Sequence, residues 1–343
     1  MRKGYKGIII ALVLAFVLSG FVAAQDTNTF SDLESDFGQF SKDVATSLPY
    51  AATIGGSWSD AKVMDFPHFG AGLSVGTVTI PSEAFESIES QFSITLPDIV
   101  KKSGLGVPLP GYTLDARLGL PLLPFDVGAK FGYMHPKMGE WIQGQTGISA
   151  DYMLAGIDIR YPILKQKMLI PSITVSAGAN YLTGGVSMDA SFSNDQEIDI
   201  SQVTGDSGDS IVFTDPNVRF GWESTSLDFR VQASEQLMLF TLYAGGGYSY
   251  GLSGAGGGFA SDWTPNTTDN YTKEEIIQML NESDYNIQIS DQAFALLQQA
   301  NGGSFHAYGG FSVDLLIFRL DLQGKYNFLT QKLGAGVNAR VQL

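Results

Sequence analysis

Three consecutive segments between Ser304 and Leu343 alternate apolar and polar residues with period two, a pattern that fits only strands whose two faces meet different surroundings. Phe305, Ala307, Gly309, Phe311, Val313 and Leu315 share one face of the first. Phe318, Leu320, Leu322, Gly324, Tyr326 and Phe328 share a face of the second, and Leu333, Ala335, Val337, Ala339, Val341 and Leu343 a face of the third. Each segment is ten to thirteen residues long. Globular strands usually run roughly five or six, whereas a tilted strand needs roughly 9 to 11 to cross a bilayer. A soluble sandwich or lipocalin-like barrel would alternate equally well, but in shorter strands around a core. Here the opposing faces are charged, and short connections upstream alternate with long ones, as in outer-membrane barrels. The fold class predicted is all-β, an antiparallel transmembrane β-barrel.

The N-terminus carries Arg2, Lys3 and Lys6, an apolar run from Ile8 to Val17, and small residues ending Val22-Ala23-Ala24. This predicts a signal peptide over 1–24, cut after Ala24, and an outer-membrane destination. With no cysteine, the chain has no disulfide framework or thiolate metal site. Three of the 20 Lys and Arg lie in the leader, so 35 Asp and Glu leave the mature chain near −18. Such a surface repels phosphates, which excludes a nucleic-acid partner.

Phe30, Leu33, Phe37, Phe40, Val44 and Leu48 recur three and four apart, predicting an amphipathic helix over 25–49, a plug or periplasmic cap, boxed by Ser31 and Glu34 and closed by Pro49. The barrel is then expected over 50–343. Its strand patterns begin with an irregular one from Tyr50 to Val63, include a phase change near Met153 that suggests a bulge, and number eleven. Both termini on one side require an even number, so about twelve strands are expected, with ten to fourteen allowed. Either one strand hides in 190–221, or the first segment begins inside the lumen. Residues 135–146 and 190–221 read as loops, and 81–111 holds a short helical candidate with Phe85, Ile88 and Phe92. In the insertion 251–303, Thr272 and Glu275 box a helix carrying Ile276, Ile277 and Leu280, and Ser290 starts a second with Phe294 and Leu297.

Charges recur two apart on the faces opposite the apolar ones: Asp115 with Arg117, Asp158 with Arg160, Asp228 with Arg230, and Arg319 with Asp321, joined by Asp126, Lys130, Lys325 and Arg340. Residues at i and i+2 share a face, so these form a network in the lumen. It either neutralises the interior or lines and gates a polar conduit. His68, His135 and His306 are too dispersed for a metal site, and no nucleophile and base stand at matching depth. The chain is therefore read as a non-enzyme, with no catalytic residues, metal or cofactor.

The amphipathic segment Phe30 to Leu48 ahead of the first strand, with the apolar stretch Ile276 to Leu297 in a long insertion, resembles the long-chain fatty-acid transporter family of outer-membrane barrels. The resemblance implies an N-terminal plug in the lumen and loop helices forming a greasy groove, here Phe85, Ile88, Phe92, Ile276, Ile277, Leu280, Phe294 and Leu297. That family's barrels have fourteen strands, and the alternation here supports eleven or twelve. The function expected is an outer-membrane barrel binding or passing small hydrophobic molecules. The alternative is a non-transporting surface barrel, an adhesin or structural envelope protein. Partners expected are outer-membrane lipid, a fatty-acid-like or other hydrophobic small molecule, and the barrel-assembly machinery.

Overall fold

The computed structural model describes residues 30–60, 68–80, 107–146, 148–167, 170–189, 196–214, 217–260, 262–283, 287–290 and 293–343. Ten strands form its wall: β1 (Phe69–Ile80), β2 (Val107–Gly119), β3 (Asp126–Tyr133), β4 (Ile148–Leu164), β5 (Ser172–Asp189), β8 (Asn217–Leu237), β9 (Phe240–Ala260), β12 (Ala293–Leu315), β13 (Phe318–Asn327) and β14 (Lys332–Gln342). All neighbours are antiparallel. The ring closes as β14 pairs with β1, and β9 pairs with β12 from Phe240↔Val313 to Ala260↔Ala293. Closure pairs every wall strand on both sides over the shared belt, which protects the edges there.

Ten strands correct the estimate of twelve, the eleven segments counted, and the fourteen that the resemblance implies. The segment lost from the count is the first. Residues 50–60 do not join the wall; they end a helix and descend the lumen, so a strand from Tyr50 to Val63 does not exist over its described part. Tyr50 and Trp58, 0% and 2% exposed, are lumen residues rather than members of an interfacial girdle.

Alternation along the wall follows the two solvents that it separates. Leu322, Val337, Phe229 and Ile159 are exposed outward, while their neighbours Asp321, Asn338, Asp228 and Arg160 are buried inward. The break in phase near Met153 is not a bulge. Pairing runs unbroken through Met153↔Tyr133 and Met153↔Thr183, and the register shift falls at Pro162/Leu164 instead. What changes is the lumen: Tyr152 and Leu154 point inward because the barrel interior is apolar at that level.

Helix α1 (Phe30–Ala51) fills that apolar level. Pro49 does not close it; the helix continues to Ala51, and tightening turns carry the backbone on through Ala52, Thr53 and Ile54. Val44, Ala45, Leu48, Ala51 and Ile54 pack with Val78, Ile80, Tyr152, Leu154, Leu182 and Ala255 of the wall. The segment runs from the long-loop end towards the short-turn end. Gly38 lies against Gln298, Pro49 against Gly251, Ile54 against Gly76 and Trp58 against Gly70.

The wall is lopsided. β13, β14, β1, β2 and β3 span 10, 11, 12, 13 and 8 residues. β4, β5, β8, β9 and β12 span 17, 18, 21, 21 and 23. About ten residues suffice to cross a bilayer, so the tall side continues beyond it. There the loops add a three-stranded sheet of β6 (Gln196–Asp199), β7 (Ser210–Phe213) and β10 (Trp263–Asn266), with helices α3 (Ser201–Thr204) and α4 (Lys273–Glu282). The stretch 190–221, expected as a loop, therefore holds β6, α3, β7 and the start of β8 among its described residues. Residues 135–146 are not a loop either: α2 (Pro136–Thr146) occupies them. The helix expected after Ser290 is absent; β11 (Ile287–Ser290) pairs with β12, so Phe294 and Leu297 lie on a strand. On the tall side the inner faces of β9 and β12 pack against α1 at Ala255 and Gln298, while Leu297 faces outward and is exposed. Alternation is no longer enforced, and spacings of three occur without helix.

Candidate functional site

At the level of residues 52–60 the lumen is crossed by bare backbone, and the wall supplies the donors that this backbone requires. Lys130 Nζ donates to the carbonyls of Ala52 and Ile54 at 2.5 and 2.8 Å, and Lys325 Nζ to that of Thr53 at 3.0 Å. Arg230 donates to Gly56, Gln232 to Trp58 and Ser59 at 2.8 and 3.1 Å, and Arg160 to Asp60 at 2.6 Å. The cations at the end of α1 also meet the negative end of its dipole. Trp58 is clasped between two guanidinium groups, Arg340 at 4.8 Å and Arg117 at 5.5 Å from its ring centre. The Asp60 carboxylate accepts from Arg319, and from Gln342 at 2.9 Å.

The wall's charges pair mainly across strands and with this plug. Asp126 accepts from Arg117 at 2.6 Å and from Arg160 at 2.8 Å. Asp158 takes Arg117 at 2.7 Å and Arg230 at 3.4 Å. Of the four pairs expected within single strands, only Asp228 with Arg230 meets, at 2.6 Å. Arg319 turns to Asp60 and Asp314, and Asp321 to Arg340. Asp115 bonds Ser74, Thr113 and Asn338 in place of Arg117. Side chains two apart on a strand diverge along it, whereas those on adjacent strands stand within reach. Two polar cavities flank the plug at Gly55, one towards Ser74, Asp321 and Asn338, the other towards Asp115, Asp158 and Asp228.

A different opening lies at the step in wall height. β2 pairs with β3 only from Leu114↔Phe131 to Gly119↔Asp126, and β3 pairs with β4 only up to Tyr133↔Met153. Above that level β2 and β4 continue with no strand between them. Two tyrosines close the foot of the notch: Tyr112 Oη donates to the Tyr133 carbonyl at 2.7 Å and Tyr152 Oη to the Tyr112 carbonyl at 3.3 Å, with rings 5.5 Å apart. A small recess of about 60 Å³ sits there, lined by Leu109, Tyr112, Met134, Ala150, Tyr152, Val186 and Trp222 among others, and almost wholly apolar. Small-molecule pockets run to roughly 300 to 1,000 Å³, so a ligand enters here only as the lining side chains move apart.

The residues expected in a loop groove are not brought to this recess. Ile276 and Leu280 are buried on α4, which packs against β10, β11 and α3. Leu297 is exposed on β12, and the side chain of Phe294 with Phe85, Ile88 and Phe92 lies outside the described residues. Sequence reading missed Asp60 and Trp58 in the plug and every lining residue of the recess. The inward turn of Tyr152 and Leu154 was the available signal, since it marks where the lumen stops being polar. Among the described residues no three His, Asp or Glu side chains gather as a metal site.

No family model and no curated protein matches the chain. Among solved structures it is similar to the outer-membrane protease OmpT of Escherichia coli, with 8% identity over 82% of this chain and 97% of that one and a TM-score of 0.38. The translocator domain of the autotransporter NalP of Neisseria meningitidis gives 9% identity over 88% and 98%, also at 0.38. The toluene transporter TbuX of Ralstonia pickettii gives 10% over 93% and 98%, at 0.25. Likenesses this distant assign neither family nor activity.

Proposed function

We propose that this chain is a bacterial outer-membrane barrel, exported by its leader, that binds or passes small hydrophobic molecules at its long-loop rim. The observation that carries the reading is the apolar recess at the notch between β2 and β4. A soluble ligand path down the axis is stoppered by residues 52–60, whereas the recess opens beside the wall, where an apolar molecule can arrive without crossing the charged layer. Burying a ligand there releases water from apolar surface at about 25 cal/mol per Å². The fatty-acid-like ligand that the resemblance implies and a compact aromatic hydrocarbon would both meet mostly apolar side chains there, with the tyrosine hydroxyls, the Trp222 indole, Asp151 and backbone as the polar groups.

Titration of the folded protein in a non-competing detergent, followed by Trp222 fluorescence, tests this. A saturable change with an acyl-chain or monoaromatic ligand is expected, and Ala150→Trp, which fills the recess, should abolish it while the unboiled protein keeps its fast gel migration. No binding of either ligand class would remove the reading and leave the second one, a plugged barrel that displays its loops. That alternative draws on the folded loop layer of β6, β7, β10 and α4, whose buried Ile211, Phe213, Trp263, Ile276 and Leu280 make it a structured surface.

A further inference from the structure

The rim at the short-turn end is built against ordinary turn chemistry. The β8–β9 and β12–β13 hairpins turn on two residues each, Met238-Leu239 and Leu316-Ile317, and the first residue of each pair stands at positive φ, 55° and 58°. Hairpins of this length place glycine or asparagine at such positions. Leu122, in the β2–β3 turn, repeats the pattern at 64°. These three side chains are 102%, 92% and 100% exposed for Leu122, Met238 and Leu316. The two remaining corners are apolar as well, with Ile163 and Ile170 around the β4–β5 connection and Leu343 at the chain end. Every corner of the ring thus offers an aliphatic tip, three of them at the cost of a backbone state that a polar residue or glycine would take more easily.

The height of the wall says what covers them. β13 has 10 residues between its two turns. At about 3.4 Å per residue and a tilt near 40° it rises roughly 25 Å, the height of the apolar band of such a barrel. Both its ends are apolar, with Leu316 and Ile317 below and Phe328 and Leu329 above. No length is left for the lower turn to project into water. Lys167 stands exposed at the β4–β5 corner, at the level where lipid phosphates would lie.

We propose that the short-turn rim is seated in the interfacial layer of the facing leaflet, with Leu122, Met238 and Leu316 as anchors beneath the headgroups and Lys167 against lipid phosphate. The inference rests on the membrane reading above. A bilayer surrounds the barrel and meets every corner at once, whereas a docking protein would need an apolar face on one side only. Seated this way, the end of the barrel lies flush with the membrane, and the plug's Asp60 end opens onto the headgroup layer.

The chain has no cysteine, so Leu122→Cys, Met238→Cys and Leu316→Cys each provide a single labelling site in the full chain. An environment-sensitive fluorophore is attached and the protein reconstituted into phosphatidylethanolamine–phosphatidylglycerol vesicles, with Val337→Cys as wall control and Asn270→Cys as loop control. Leu239→Cys or Ile317→Cys replaces a variant that fails to fold. All three rim labels should shift to the blue and be quenched by lipid-borne nitroxide but not by iodide, while the Asn270 label behaves oppositely. Iodide quenching at the rim with a shielded Val337 label overturns the anchoring and leaves the barrel intact. Shielding of only one or two tips, or shielding only after a periplasmic extract is added, overturns it in favour of a protein partner. An iodide-accessible Val337 label would instead overturn the membrane reading itself.

Discussion

Asp126 is the carboxylate on which the buried cations of the wall converge. It is wholly inaccessible, and Arg117 and Arg160 both donate to it. Removing one partner from a buried ion cluster strands the others, at a cost of about 3 to 5 kcal/mol. Asp126→Asn should therefore lower the unfolding free energy in detergent by an amount in that range, with a lower midpoint, and Arg160→Met beside it should recover part of the loss. An unchanged midpoint would mean that the cluster carries no such coupling. Gly55 is the second critical residue. Its φ of +77° disfavours any side chain, and a Cβ would run into Thr113 Oγ1. Gly55→Ala should cost about 1 to 3 kcal/mol and raise hydrogen exchange in the 52–60 amides. Protection equal to the parent would show that the plug is not held there. At this scale the sequence made the inward charges legible, because alternation alone assigns their face. Their partners were not legible, since Asp60 and the carbonyls of 52–60 reach them from 76 or more residues away.

The wall strands could be read because lipid and lumen impose opposite solvation on successive residues. Where that contrast ends, the reading failed. Residues 50–60 alternate by coincidence and descend the lumen, and the upper part of β12 keeps a helical spacing because its inner face packs against α1 instead of facing a polar lumen. The loop helix α4 was legible because its cap is local: Thr272 Oγ1 accepts from the Glu275 amide, and the Glu275 carboxylate accepts from the Thr272 amide at 2.9 Å. Hydrogen bonds from the Thr272 amide and hydroxyl hold that carboxyl below its ordinary value. A depressed acid contributes above its unfolded value and is lost as pH falls through the folded one. Amide protection at the start of α4 should hold at neutral pH and decline only in that acidic window, and Glu275→Gln should make the decline pH-independent. Retention of a pH-dependent step in Glu275→Gln would contradict the assignment. For the wall, Val337→Arg should cost roughly 2 to 4 kcal/mol if Val337 lies near the midplane, falling towards zero near an interface. A neutral effect there, with Leu322→Arg neutral too, would contradict the outward belt.

Over the whole molecule, the lumen divides into an apolar layer around α1 at the long-loop side and a charged layer around 52–60 at the short-turn side. The first buries the helix stripe that would otherwise be an exposed patch, and the second satisfies the backbone that continues from it. Both leave the axis filled, so the proposed traffic of small apolar molecules would run through the notch beside β3 rather than through a central pore. Planar-bilayer recording of the full chain tests that division most directly. The unmodified protein should show no steady conductance steps, and the paired substitution Lys130→Met with Lys325→Met, which removes the donors from Ala52, Thr53 and Ile54, should produce them. Stable porin-like steps from the unmodified protein would contradict a latched plug.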